Sequence, residues 1–197
     1  MDNKSQSRIR NILLFPRWEW KVINLEKRSL KEVFISYAFP LILAGAISQF
    51  IGSFLYVKNE LDIDAYKFSL PLIQSAFFII LQVAIVILAT IFLYGLAGKF
   101  GSNKDFIRSG KLIIYSLTPL YMLYVVANLH ASLTWTLIPG LYSVYLLWTG
   151  LPVLLNTHAL KRPAFVMIMC ISILGILFVT SRLLEISTAI IFPGVSE

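Results

Sequence analysis

Not one Asp, Glu, Lys or Arg interrupts any of five long apolar runs, at residues 33–57, 71–96, 112–129, 133–156 and 164–181. An α-helix rises about 1.5 Å per residue, so runs of this length reach across, or nearly across, a hydrocarbon core of roughly 30 Å. A helix also satisfies every backbone hydrogen bond within the segment, which lipid demands. The predicted fold class is therefore all-α, a polytopic transmembrane bundle of five spans. Composition agrees: 58% of residues are hydrophobic and 14% charged, against roughly 45–50% and about 25% in soluble domains. So few charges could not cover the surface of a soluble fold.

The connections between the runs carry a second pattern. Eight basic residues precede the first run: Lys4, Arg8, Arg10, Arg17, Lys21, Lys27, Arg28 and Lys31. The following connections hold two (Lys58, Lys67), four (Lys99, Lys104, Arg108, Lys111), none, and two (Lys161, Arg162), and Arg182 follows the last run. Alternate sides thus carry fourteen against three. Lys and Arg hold connections back from translocation, so the N-terminus is expected in the cytoplasm and the C-terminus outside, in the cytoplasmic (inner) membrane. A eukaryotic endomembrane is the alternative. Basic residues confined to one face point to the anionic cytoplasmic leaflet, at roughly 1 kcal/mol each near the surface, and not to nucleic acid. The first run starts too late and is too long for a cleavable signal peptide, so it is expected to remain as an anchor.

Three regions follow: a basic, aromatic N-terminal segment (1–32), a membrane domain (33–185) and a short tail (186–197) expected along the outer interface. Residues 1–10 are polar and predicted to be mobile. Residues 12–28 predict a helix with Pro16 in its first turn. Phe15, Trp18, Val22 and Leu25 form one stripe at 100° per residue, Arg17, Lys21 and Arg28 lie off it, and Trp20 and Ile23 break the pattern. The segment is predicted to be an interfacial helix with Trp18, Trp20, Arg17 and Lys21 at the membrane surface. Packing on the cytoplasmic end of the bundle is the other reading of the same residues. Ser29 and Glu32 then form a capping box, and Ser102 and Asp105 predict a capped helix ahead of the third run. Ala44, Ser48 and Gly52 make a row of small residues that allows close helix approach. Glu60, Asp62 and Asp64 read as a solvated loop, since they lack the glycine and distal glutamate of a calcium-binding hand.

Residues able to do chemistry are scarce. Cys170 is the single cysteine and sits inside an apolar run, so no intrachain disulfide or cysteine metal site is available. His130 and His158 flank the fourth run and face opposite sides. No zinc, nucleophile-elbow or phosphate-loop motif occurs. The expectation is no enzyme, no metal and no cofactor. Uncharged spans also argue against proton-coupled transport, which uses intramembrane ionisable groups. The neutral polar residues Gln49, Gln74, Gln82, Thr118, Asn128 and Asn156 read as helix-to-helix hydrogen bonders.

The third and fourth runs hold the least ordinary constellation: Tyr115, Thr118, Pro119, Tyr121 and Tyr124 in one, Pro139, Tyr142 and Tyr145 in the other. Each proline removes a backbone bond and frees a carbonyl for a neighbouring hydroxyl. Because the runs point in opposite directions, the pair resembles a small inverted repeat of the sort found at transporter sites. A kinked structural hairpin is the simpler reading. A site for a ligand, lipid or partner, built from Tyr115, Thr118, Pro119, Tyr121, Pro139, Tyr142 and Tyr145, is the alternative.

Phe15-Pro16-Arg17-Trp18-Glu19-Trp20-Lys21-Val22-Ile23, the capped start of the first run, Pro40, the Tyr115 to Pro119 stretch, and Tyr142 through Trp148 and Gly150 to Pro152 together resemble the Yip-domain family. The resemblance implies five spans and a cytoplasmic N-terminus. Eukaryotic members are associated with Rab-type GTPases, traffic between endoplasmic reticulum and Golgi, and hetero-oligomers. The chain lacks their long N-terminal region and their Asp-Leu-Tyr-Gly-Pro stretch, so GTPase binding is not carried over, and its compact form is similar to prokaryotic members. The expected function is a non-enzymatic scaffold that binds membrane proteins or lipid through its bundle, as a homo- or hetero-oligomer. A small transport or channel component and a membrane-shaping or trafficking factor are the alternatives.

Overall fold

The computed structural model describes residues 3–57 and 68–191, and every regular element in them is helical. The acidic 58–67 loop and residues 192–197 lie outside the described residues. In order the helices are α1 (Asn3–Leu14), α2 (Pro16–Leu25), the single turn α3 (Leu30–Val33), α4 (Phe39–Tyr56), α5 (Ser69–Ala97), α6 (Phe106–Ser116), α7 (Thr118–Ala127), α8 (Tyr142–Leu155) and α9 (Arg162–Ile191). Four stretches are long and apolar enough to cross a membrane: Leu30–Tyr56, Ser69–Phe100, Phe106–Ala127 and Trp135–Leu155. The described apolar part of the fifth, Arg162–Ile176, is shorter. The protein is a multi-pass membrane protein. Helix α9 does not end at 181 but runs on to Ile191, so part of the expected tail is helix.

Prolines set where the spans deviate from straight α-helix. Pro40 has no N–H to give the Ser36 carbonyl, and the chain ahead of it widens into a π turn, Phe34–Ala38. The Ser36 hydroxyl there donates to the Glu32 carbonyl at 2.7 Å and accepts from Arg28 at 2.5 Å. Pro119 likewise leaves the Tyr115 carbonyl without its helical donor, and the Thr118 hydroxyl supplies one at 2.7 Å. Leu117, between α6 and α7, sits at φ −80°, ψ −2°, where the span bends. Pro139 falls inside a tight 3₁₀ stretch, Ala131–Leu141, so the start of the fourth span is narrower than an α-helix.

Helix packing follows the small and neutral polar residues. α4 packs on α5 and α7, α5 on α6 and α9, and α6 on α8. The small-residue row of α4 faces α7. Ser48 donates to the Val125 carbonyl, and Asn128 reaches the Gly45 carbonyl at 3.2 Å. A Cβ at Gly52 would lie 2.1 Å from the Asn128 carbonyl oxygen, so only glycine permits this approach. Ser53 bonds Gln74 at 2.5 Å between α4 and α5. Neutral hydroxyls and amides thus join helices that carry no charge.

The capping box forms as read, with Ser29 and Glu32 exchanging bonds at 3.1 and 3.2 Å. Asp105 caps α6 through the Arg108 N–H at 3.0 Å. Ser102 does not share that task, because its hydroxyl pairs with Thr157 at 2.8 Å. With the Asn103 N–H on the Leu155 carbonyl at 2.8 Å, this bond ties the α5–α6 and α8–α9 connections into one end of the bundle, called here the proximal end. In the described part of the N-terminal stretch, helix α1 begins at Asn3, and Arg8 and Ile12 are buried.

Gly52→Ala is expected to destabilise the detergent-solubilised protein by about 1–3 kcal/mol through overpacking, and Ser48→Ala by about 0.6 kcal/mol. Thermal unfolding of the two variants checks the order. A Gly52→Ala transition equal to wild type would contradict the α4–α7 contact described.

Candidate interaction site

The N-terminal segment folds as a helical hairpin of α1 and α2 and lies alongside α8. Its attachment begins with sequence. Pro16, Glu19, Trp20 and Ile23 recur at helical spacing and form the buried side of α2. Trp20 is 0% exposed, and its indole donates to the Thr149 hydroxyl at 3.1 Å. The indole packs where Gly150 leaves room, since a Cβ there would meet Trp20 ring atoms at 2.8 and 2.9 Å. Farther along α8, the Tyr142 hydroxyl donates to the Leu13 carbonyl at 2.8 Å. The two bonds fix both ends of the contact.

A buried ionic group completes the attachment. The Arg8 guanidinium lies 3.1 Å from Glu19 and 3.2 Å from Glu26, with all three side chains largely enclosed. It also sits 5.7 Å from the centroid of the Tyr115 ring. Lys111 of α6 donates to the Glu26 carbonyl at 2.8 Å, and Arg28 lies 3.9 Å from the Glu26 carboxylate. Charges taken out of water must be paired or they are costly. Here one guanidinium spans two carboxylates, Glu19 in the first turn of α2 and Glu26 just past its end, so the hairpin has one seating in which both are met.

The expected interface residues separate on this geometry. Arg17, Trp18 and Lys21 are exposed, whereas Trp20 is corrected from the membrane surface to the protein interior. The physical reason is that α2 has two apolar sides. Trp20 and Ile23, the residues that break the stripe, make the side that packs on the bundle. Phe15, Trp18, Val22 and Leu25, the stripe itself, face outward, with Trp18 at 68% and Leu25 at 82% exposure.

The proline and tyrosine set of the third and fourth spans does not converge on one site. Tyr115 is buried against Tyr37 at 4.6 Å and edge-on to Trp20 at 6.4 Å. Thr118 accepts from the Tyr37 hydroxyl at 2.8 Å, and Pro119 and Tyr121 are buried. Pro139 is exposed, Tyr142 is committed to Leu13, and Tyr145 is exposed beside Tyr142, their rings 5.3 Å apart. Between the bent third span, the 3₁₀ stretch, α8 and α9 lies a cavity of about 340 Å³. Among the described residues its walls hold no carboxylate or amine, and its polar groups include the buried Ser116 and Ser143 hydroxyls, which have no hydrogen-bond partner there. Among the described residues no three His, Cys, Asp or Glu side chains gather as a metal site.

Sequence reading missed Arg8, Glu19, Glu26 and Lys111 as a unit. Glu19 at the spacing of Trp20 and Ile23 was the available signal: a carboxylate on an apolar side calls for a buried cation. Arg8→Ala is expected to cost about 3–5 kcal/mol by leaving Glu19 and Glu26 short of a buried partner. The double variant Arg8→Met, Glu19→Leu is expected to cost less, because Arg28 remains beside Glu26. Protease cleavage near residues 26–29 and Trp20 fluorescence report hairpin release, and a double variant no better than Arg8→Ala would contradict the pairing.

A family model described as the Yip1 domain matches residues 10–181. No curated protein and no solved structure matches the chain. The matched range takes in α2, all five apolar stretches and the buried attachment from Trp20 onward. On that match the chain belongs to the Yip1-domain family.

Proposed function

We propose that the chain is a non-enzymatic membrane scaffold that recruits another membrane protein through the outward side of α2. The observation that supports this is the second apolar side of a helix already docked by its first. Phe15, Trp18, Val22 and Leu25 remain exposed although the hairpin is held rigidly by Trp20, Tyr142 and Arg8. Exposed aromatic and aliphatic side chains on a pre-organised element are what interface anchors consist of. The family's association with membrane trafficking agrees with such a role. The basic asymmetry of the connections supports an N-terminus in the cytoplasm, which would put this side of α2 within reach of partners there. The internal cavity supports a kinked hairpin more than a conduit, because among the described residues no charged group lines it.

A photo-reactive residue at position 18, expressed in intact cells, is expected to form a protein adduct that mass spectrometry resolves as a membrane protein or a second copy. The same residue at position 20 is expected to form only intramolecular adducts. Adducts to lipid alone at position 18 would replace the scaffold reading with a membrane-anchoring one.

A further inference from the structure

The flank of α8 carries an open groove of about 880 Å³, bordered by Thr149 of the hairpin attachment and sharing Leu141 and Val144 with the internal cavity. One wall is α2, through Arg17 and Lys21. The floor is α8, through Tyr145, Trp148 and Pro152, and Arg162 at the start of α9 closes one end. Arg17 and Lys21 are exposed, and their i, i+4 spacing sets them on one side of the helix. Arg162 rests on the Trp148 ring, 5.4 Å from its centroid, and its buried Nε has no hydrogen-bond partner. Among the described residues no carboxylate lines the groove. Glu19, the acid nearest in sequence to the two α2 cations, lies on the buried side of the helix with Arg8.

We propose that this groove binds an acidic phospholipid, its phosphate held by Arg17, Lys21 and Arg162 and one acyl chain laid along α8. Three cations without a lining counter-ion supply the charge complement. Arginine's planar fork suits phosphate oxygens, and stacking on Trp148 pre-organises Arg162 before the ligand arrives. The floor is apolar and aromatic, which a hydrocarbon chain uses and a soluble anion does not. Tyr145 and Trp148 are the amphipathic ring types that favour the headgroup level. The groove lies beside a helix apolar enough to cross a membrane, so a lipid can enter it laterally. This inference goes beyond the partner reading and does not rest on it, since it uses the cationic wall of α2 and not the Trp18 side.

The test is native mass spectrometry of the full chain in detergent, titrated with phosphatidylglycerol, with phosphatidylcholine of the same chains, and with glycerol phosphate alone. Wild type is expected to retain phosphatidylglycerol preferentially. Arg17→Gln with Lys21→Gln is expected to weaken that binding about thirtyfold, from about fivefold per cation, and to leave phosphatidylcholine unchanged. Exchanging the two cations, Arg17→Lys with Lys21→Arg, retains the preference. So does Arg10→Gln with Lys99→Gln, which removes exposed charge outside the groove. Trp20 fluorescence confirms that each variant keeps its hairpin seated. Equal binding of the two lipids by wild type, or a preference that survives the double glutamine change, overturns the proposal. Glycerol phosphate binding as tightly as the lipid overturns it as well, and makes the groove a site for a free anion.

Discussion

The seating of Arg8 between Glu19 and Glu26 decides what the rest of the molecule presents. Without it, α1 and α2 would be a basic, aromatic segment with two apolar sides and no reason to choose between them. The two carboxylates lie seven residues apart, Glu19 in the first turn of α2 and Glu26 just past its end, and both reach one guanidinium. Rotating the helix to bury Trp18 instead of Trp20 would carry Glu19 away from Arg8 and abandon the Thr149 bond. A buried ion group adds little net stability compared with apolar packing, but breaking it strands a charge. Its effect here is to select one register of the hairpin, and with it one outward side.

The same economy of charge governs the spans. Lipid supplies no hydrogen-bond partners, so each proline that frees a carbonyl requires a local answer. At Pro119 the answer is Thr118, whose hydroxyl caps the Tyr115 carbonyl and in turn accepts from Tyr37. That chain of bonds couples the bend in the third span to the first span, one helix away from the hairpin. Tyr115 then touches both Tyr37 and Trp20. The bend, the first span and the N-terminal hairpin therefore share a single aromatic core at the level where α6 becomes α7.

Much of this was legible in the chain because it depends on one-dimensional pattern. Uncharged runs mark the spans, Ser29 and Glu32 mark a helix start, and Thr118-Pro119 marks a bend with its own repair. The small row at Ser48 and Gly52 is readable as close packing, though the partner, α7, is not. What resisted reading depends on which residues meet across long sequence distance. Arg8 looks like one more basic residue in a basic leader until Glu19 and Glu26 close around it. Trp20 and Trp18 are two residues apart in one helix and identical in kind, yet one is core and the other surface. The tyrosine and proline repeat misleads for the converse reason. Its symmetry is real in sequence, but the two halves point into different surroundings, one toward Tyr37 and the other toward Leu13 and the flank of α8.

A short helix with two apolar sides is an unusual thing for a chain to keep, because one side can always be satisfied without the other. If docking alone mattered, polar residues at Phe15, Trp18, Val22 and Leu25 would serve the hairpin as well and cost nothing in solubility. If lipid attraction alone mattered, an undocked basic segment would reach the bilayer without Gly150 being held free of a side chain for Trp20. Both features are present together, and both become useful only once the helix is fixed. A fixed α2 holds Arg17 and Lys21 toward Arg162 on one flank and Trp18 outward on another, at constant spacing. The buried ion group, the indole over Gly150 and the Tyr142 bond together hold α2 in one orientation, with Arg17 and Lys21 on one flank and Trp18 on another.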